Sequence, residues 1–97
     1  MRMKKKREAG KAIKEILEVN VFWLPIVKEV FYQGQARVIS SQNKLGKFDI
    51  LPNHTNFITL IFKDISIITP KQKKLTYQFK RGVLEVTKNK VNVFLGI

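Results

Sequence analysis

The sequence predicts an all-β domain, a small antiparallel β-sandwich or barrel, and three observations carry that reading. Apolar residues recur with a period of two in several short runs. Clusters of Gly, Pro, Asn and Gln separate those runs at close spacing. No apolar stripe of helical period extends beyond about a turn and a half. At 97 residues the chain makes one domain. Its core is modest, because a chain this short buries only roughly 60–65% of the surface its unfolded form exposes. An apolar fraction of 44% suffices for such a core.

Residues 1–16 read as a basic tail, disordered or a short helix, and residues 17–97 as the folded domain. Ile13, Ile16 and Leu17 could form one stripe, but a helix of that length is marginal in water. The start, Met1-Arg2-Met3-Lys4-Lys5-Lys6-Arg7, has the charge of a secretory n-region. Lys11, Lys14, Glu15 and Glu18 interrupt what would be its apolar core. No stretch approaches the roughly 18 apolar residues of a membrane span. The expectation is a soluble protein, at most peripheral to a membrane.

From Leu17 the period becomes two. Leu17, Val19, Val21 and Trp23 share one side, and Glu18, Asn20 and Phe22 the other, up to Pro25. Val30-Phe31-Tyr32 is a short run that stops at Gln33-Gly34. Gln35 to Ser41 alternates around Ala36 and Val38, and Gln42 to Gly46 supplies turn chemistry. Phe57 to Thr69 is rich in β-branched residues, with Lys63-Asp64 as its expected interruption. Leu75, Tyr77 and Phe79 make a half-buried strand, which Gly82 breaks. Val83 to Val86 then pairs with Val91 to Leu95 as a hairpin, with Val91, Val93 and Leu95 on its inner face.

The absence of cysteine removes disulfides, thiolate ligands and cysteine nucleophiles together. His54 is the only histidine, so a histidine metal site would have to recruit carboxylates, and the acids are scattered singly. No HExxH, GxGxxG or GxxxxGK string occurs. No local motif joins His54 to Ser40, Ser41 or Ser66 as a triad. His54 therefore reads as a hydrogen-bonding turn residue. The composition points away from an enzyme and implies no cofactor and no metal. The formal charge of +12 asks instead for a partner of negative potential. Seven Lys/Arg against two Glu lie within residues 1–15.

The stretch Gly46-Lys47-Phe48-Asp49-Ile50-Leu51-Pro52-Asn53-His54 has its own logic. Gly46 permits a turn, Pro52 fixes φ, and Asn53 suits a left-handed position. Phe48, Ile50, Leu51, Phe57 and Ile58 around it read mostly as core. This stretch resembles the Leu-Pro-Gly-His corner of the epsilon subunits of F-type ATP synthases. Val30-Phe31-Tyr32-Gln33-Gly34 is similar to that family's aromatic-x-Gly segment, and Arg81-Gly82-Val83-Leu84-Glu85-Val86 to its Gly-Gly-Ile-Leu-Glu-Val segment. Departures fall at Lys47, where the family is acidic, and at Asn53, Arg81 and Thr55-Asn56. The chain stops at Ile97, before the family's helical hairpin.

The resemblance implies an antiparallel β-sandwich of about ten short strands. It implies a non-catalytic central-stalk (rotor) subunit of a proton-translocating F-type ATP synthase, linking the gamma subunit to the c-ring. Such a subunit would be a monomer within a hetero-oligomeric complex, peripheral to the membrane on the cytoplasmic side in a bacterium, with no specific nucleic acid. Lys47, Asp49, Pro52, Asn53 and His54 would form the corner facing the c-ring, and Phe22 and Trp23 are the gamma-facing candidates. Lys47 predicts compensating acids on the ring loop, because like charges would otherwise meet. Two alternatives from other classes are a small basic β-barrel binding nucleic acid, and membrane-surface attachment through the basic tail.

Overall fold

The structure is a computed structural model that describes residues 16–24 and 30–97. The expectations for the basic segment 1–15 and for Pro25 lie outside those residues. Seven strands follow in chain order: β1 (Leu17–Trp23), β2 (Val30–Ala36), β3 (Val38–Asn43), β4 (Gly46–Ile50), β5 (Phe57–Ile68), β6 (Lys74–Thr87) and β7 (Lys90–Leu95). They form one sheet in the order β2-β1-β7-β6-β5-β3-β4. Every neighbouring pair is antiparallel except β1 with β7, which is parallel.

Among the described residues seven strands stand where about ten were expected, because several expected breaks lie inside strands. β5 runs through Lys63-Asp64, and β6 runs through Gly82. Gly34 likewise sits within β2. At Lys63 the chain bulges instead of stopping: Phe62 pairs with Arg81, but Lys63 pairs with Phe79, so Lys80 is the extra residue. Lys63 takes φ 77 there. The extra residue inverts the alternation along β6, whose inner side changes from Leu75, Tyr77 and Phe79 to Gly82, Leu84 and Val86. Gly82 is an approach glycine. A Cβ on it would lie 2.8 Å from the Phe94 carbonyl oxygen and 2.9 Å from Leu95 Cδ2.

The bulge makes two layers out of one sheet. β7 pairs with β6 only beyond the bulge, over Gly82–Thr87. β3 pairs with β5 only at its far end, Ser66–Ile68. One layer is thus β2-β1-β7 with the near half of β5 and the far half of β6. The other is β4-β3 with the remaining halves. Phe48 on β4 meets Phe57 at the start of β5 edge-on, with centroids 5.7 Å apart. Those strands are not neighbours in the sheet, so this contact closes one layer over the other.

The core between the layers contains Leu17, Val19 and Val21 of β1, Val91, Val93 and Leu95 of β7, Leu84 and Val86 of β6, Ile61, Ile65 and Ile67 of β5, and Ile39, Ile50 and Ala36. The inner faces expected for β1 and β7 are found. Burying each Val, Leu or Ile stabilises by roughly 1.5–3 kcal/mol. A one-residue slip of any strand would expose its whole set, so the register is strongly held. The alternation expected around Ala36 and Val38 shifts at Arg37, where the chain turns from β2 to β3: Ala36 and Ile39 point inward, and Val38 does not. Ser41, 5% exposed, donates its hydroxyl to the Asp64 carbonyl at 2.7 Å, one residue past the bulge.

Candidate interaction surfaces

The two outer faces of the sandwich differ in chemistry. In the first layer, Leu60, Val83, Phe94 and Phe22 stand directly opposite one another across four strands. Phe22 and Phe94 stack at 5.3 Å between ring centroids, with planes 16° apart. Ile58 and Phe62 extend the row on β5, and Ile58 and Leu60 are 68% and 47% exposed. Arg81, opposite Phe62, and Glu85, opposite Ile58, border this apolar strip on one strand.

The second layer turns hydroxyls outward. Asp49, Ser40, Ser66 and Thr76 form the corresponding row. Ser40 donates to Asp49 Oδ1 at 2.6 Å, and the Ser66 and Thr76 hydroxyls lie 3.1 Å apart. Lys47, Lys74 and Asp64 join Asp49, Ser40 and Ser66 around a shallow polar hollow of about 260 Å³. The hydrogen bonds of this face run within its row, from Ser40 to Asp49 and between Ser66 and Thr76.

Phe22 and Trp23, both gamma-facing candidates, separate. Phe22 lies on the outer apolar strip. Trp23 points inward, opposite Leu95, and packs against the core. Only Phe22 shares a surface with exposed apolar residues.

The corner divides as well. Lys47 and Asp49 alternate outward along β4 while Ile50 is buried. Lys47 stands opposite Gln42, next to the tip where Lys44-Leu45 turns β3 into β4. Asn43 Oδ1 accepts the Leu45 N–H at 2.8 Å, and Leu45 is 96% exposed. Beyond β4, Pro52 and Asn53 turn the chain, with Asn53 at φ 68 in the left-handed region that asparagine tolerates. The Asn53 N–H donates to Asn89 Oδ1 at 2.6 Å, and Asn89 Nδ2 donates back to Asn53 Oδ1 at 3.4 Å. The corner is thereby clasped to the β6–β7 turn. His54 donates its N–H to the Leu51 carbonyl, its Nδ1 lies 2.8 Å from the Thr55 carbonyl oxygen, and its ring lies 5.6 Å from that of Phe57. It packs and hydrogen-bonds within the corner. The structure thus brings Pro52, Asn53 and His54 together in one loop and places Lys47 and Asp49 on the strand that leads into it.

Two residues read as core are not. Leu51 is 53% exposed, and Ile58 faces outward while Phe57 takes the inner position. Leu45, Leu60, Val83 and Phe94 were not singled out as surface residues by the sequence. Leu60 belongs to a run apolar on both sides, where alternation does not say which side is out; Phe94 lies opposite the inner face read for its strand, and its part in an outer row follows from pairing with Val83 and Phe22. Among the described residues no three of His, Asp and Glu come close enough to hold a metal ion.

Comparison with known proteins matches this architecture to one family. Residues 26–95 match the family described as ATP synthase, Delta/Epsilon chain, beta-sandwich domain. An ATP synthase epsilon chain of Clostridium novyi (strain NT) is 33% identical over 75 residues, covering 74% of this chain and 57% of that one. A chain in the Euglena gracilis mitochondrial ATP synthase, solved by cryo-EM as an OSCP/F1/c-ring assembly in rotational state 1, shares the fold. The TM-score is 0.78 at 13% identity, over 98% of this chain and 59% of that one. The chain therefore spans a little over half the length of the curated relative it matches.

Proposed function

The chain belongs to the ATP synthase delta/epsilon family of β-sandwich domains, and from that membership we propose that it is a non-catalytic central-stalk subunit of a proton-translocating F-type ATP synthase. It links the gamma subunit to the c-ring during rotary synthesis. The observation that carries this reading is the outer row Leu60-Val83-Phe94-Phe22, with Ile58 and Phe62 beside it. An apolar strip of that extent on a small subunit marks a protein interface. We assign it to the gamma subunit, with Phe22 as the one sequence candidate retained there.

The corner takes the second partner. Leu45 and Lys47 at the β3–β4 end, with Asp49, Pro52, Asn53 and His54, form the surface offered to the polar loops of the ring. Lys47 brings positive charge to it, and the complementary loop carries acids. A rigid body held between two partners transmits rotation without chemistry of its own. That role accounts for a domain that carries a continuous apolar row on one outer face and a hydrogen-bonded polar row on the other.

Capture by the gamma subunit of the same organism tests the assignment. The wild-type chain and a Ser66→Asp variant should co-purify with gamma equally. The double variant Ile58→Asp/Leu60→Asp should be lost from the complex while remaining folded. Equal capture of both variants would refute the gamma-facing assignment. Lys47→Glu should leave gamma capture intact and weaken association with the isolated ring.

A further inference from the structure

We propose that the outer edge of β2, with the β5–β6 turn beside it, takes up an extended acidic segment of another polypeptide as an added strand. The proposal does not rest on the gamma-facing assignment and begins with the two ends of the sheet. The strand order leaves β2 at one end and β4 at the other. An edge strand offers unpaired backbone groups, and proteins guard such edges with charge or proline. β4 carries Lys47 and Asp49. β2 reads VFYQGQA from Val30 to Ala36 and holds neither a charge nor a proline.

The ladder sets the direction of its backbone groups. Glu18 N–H donates to the Asn89 carbonyl oxygen at 2.8 Å, on the side of β7. Alternation then turns Leu17 and Val19 toward β2, where they face Ala36 and Gly34. Gln33 and Gln35 therefore aim their N–H and C=O groups away from β1, and both residues are exposed. The Tyr32 hydroxyl donates to the Gln35 carbonyl oxygen at 2.7 Å. Its ring lies across Gly34, where a Cβ would come within 2.9 Å of the Tyr32 oxygen. Both groups of Gln33 and the N–H of Gln35 are thus the ones offered to a new strand.

Charge selects the occupant. Tyr32 and Gln35 line an opening of about 400 Å³ with Thr69, Pro70, Lys71 and Lys73, and the Tyr32 and Pro70 rings give it apolar walls. The turn is held in shape: Thr69 Oγ1 accepts the Lys73 N–H at 3.1 Å, and Thr69 N–H donates to the Lys73 carbonyl oxygen at 2.8 Å. Arg37, Lys71, Lys73 and Lys74 are exposed, and neither residues 30–48 nor 65–84 contain an acid. Glu18, the acid on β1, stands opposite Gln35 and has Lys90 on its other side. Positive charge at the end of an unguarded edge fits a strand that carries carboxylates. A second copy pairing through its own β2 would bring none. Antiparallel addition is the more stable kind. It places the acids at the N-terminal end of the incoming segment, because the basic turn lies beside the C-terminal end of β2.

The test is an amide NMR titration of the full chain with the synthetic peptide Glu-Glu-Phe-Thr-Val-Thr-Val. Shifts should change at Gln33, Gln35, Lys71 and Lys73 and stay fixed along β4. Lys71→Gln/Lys73→Gln should weaken binding about fivefold, since exposed ion pairs are individually weak. Gln33→Pro should weaken it at least about tenfold, because proline removes an outward N–H that the ladder with β1 does not use. A urea midpoint near that of wild type shows that each variant is folded, and the lysine variant leaves the strand itself untouched. Equal binding of a peptide with lysines in place of its glutamates would overturn the proposal. So would shifts confined to β4, or shifts at Gln33 that follow protein concentration without peptide, which would make a second copy the occupant. Gamma capture by both variants, unchanged, separates this outcome from failure of the proposed function.

Discussion

The two outer faces of this sandwich are built on the same ladder and have opposite needs. Each presents a row of four residues in register across four strands. On one face the row is Asp49-Ser40-Ser66-Thr76, and hydrogen bonds link Ser40 to Asp49 and Ser66 to Thr76. On the other it is Leu60-Val83-Phe94-Phe22, which stacks one aromatic pair and leaves Leu60 half in water. The hydroxyl face links its row in pairs by its own hydrogen bonds. The apolar face is the one that a partner would complete. A side chain's sheet position thus says less about its role than whether its row is closed by its own neighbours.

The most direct way to break this comparison is to place charge on each face in turn. Ile58→Asp/Leu60→Asp should cost about 3 kcal/mol of partner affinity, roughly a hundredfold, if the strip contains the hot spot. Ser66→Asp/Thr76→Asp should leave affinity within a factor of two or so, since it changes only a solvated surface. Titration of gamma against each variant checks both, and equal losses would erase the distinction between the faces.

The next effect concerns how the faces are held apart. Gly82→Ala forces a methyl against the Phe94 carbonyl oxygen and Leu95, in a core strand beside the bulge. It should destabilise by about 1–3 kcal/mol, read as a lower urea midpoint. Ser41→Ala leaves the Asp64 carbonyl without its side-chain donor and should cost about 1 kcal/mol. Smallest is Ser40→Ala on the hydroxyl face. Its bond to Asp49 is exposed, so stability should move by no more than about 0.5 kcal/mol.

Much of the fold was legible wherever one side of a strand is polar. Leu17, Val19 and Val21 against Glu18 and Asn20, and Val91, Val93 and Leu95 against Asn92, announce both period and inner face. The reading fails where both sides are apolar. In Phe57-Ile58-Thr59-Leu60-Ile61-Phe62 the pattern does not say that Ile58 and Leu60 point out, because that is set by pairing with Glu85 and Val83, distant in sequence. The bulge was equally silent. Lys63-Asp64 and Gly82 carry the local chemistry of breaks, yet the ladder on both sides carries the chain through them. For the corner, Asn53 at positive φ was foreseen from residue type, whereas its clasp to Asn89 joins residues 36 apart. The exposure of Leu45 is a property of the hairpin tip and has no signature in periodicity.

The parallel pairing of β1 with β7 sets an order of events during synthesis. Among the described strands β1 comes first and β7 last, and their ladder matches Glu18 with Lys90 and Trp23 with Leu95. Until Leu95 has left the ribosome, β1 and β2 can pair only with each other, and a lone hairpin is marginally stable in water. The β5–β6 hairpin can form earlier, since its partners are local. The residues of β1 are therefore made before those of the other described strands and are among the last to find their place, since their ladder with β7 joins Glu18–Trp23 to Lys90–Leu95.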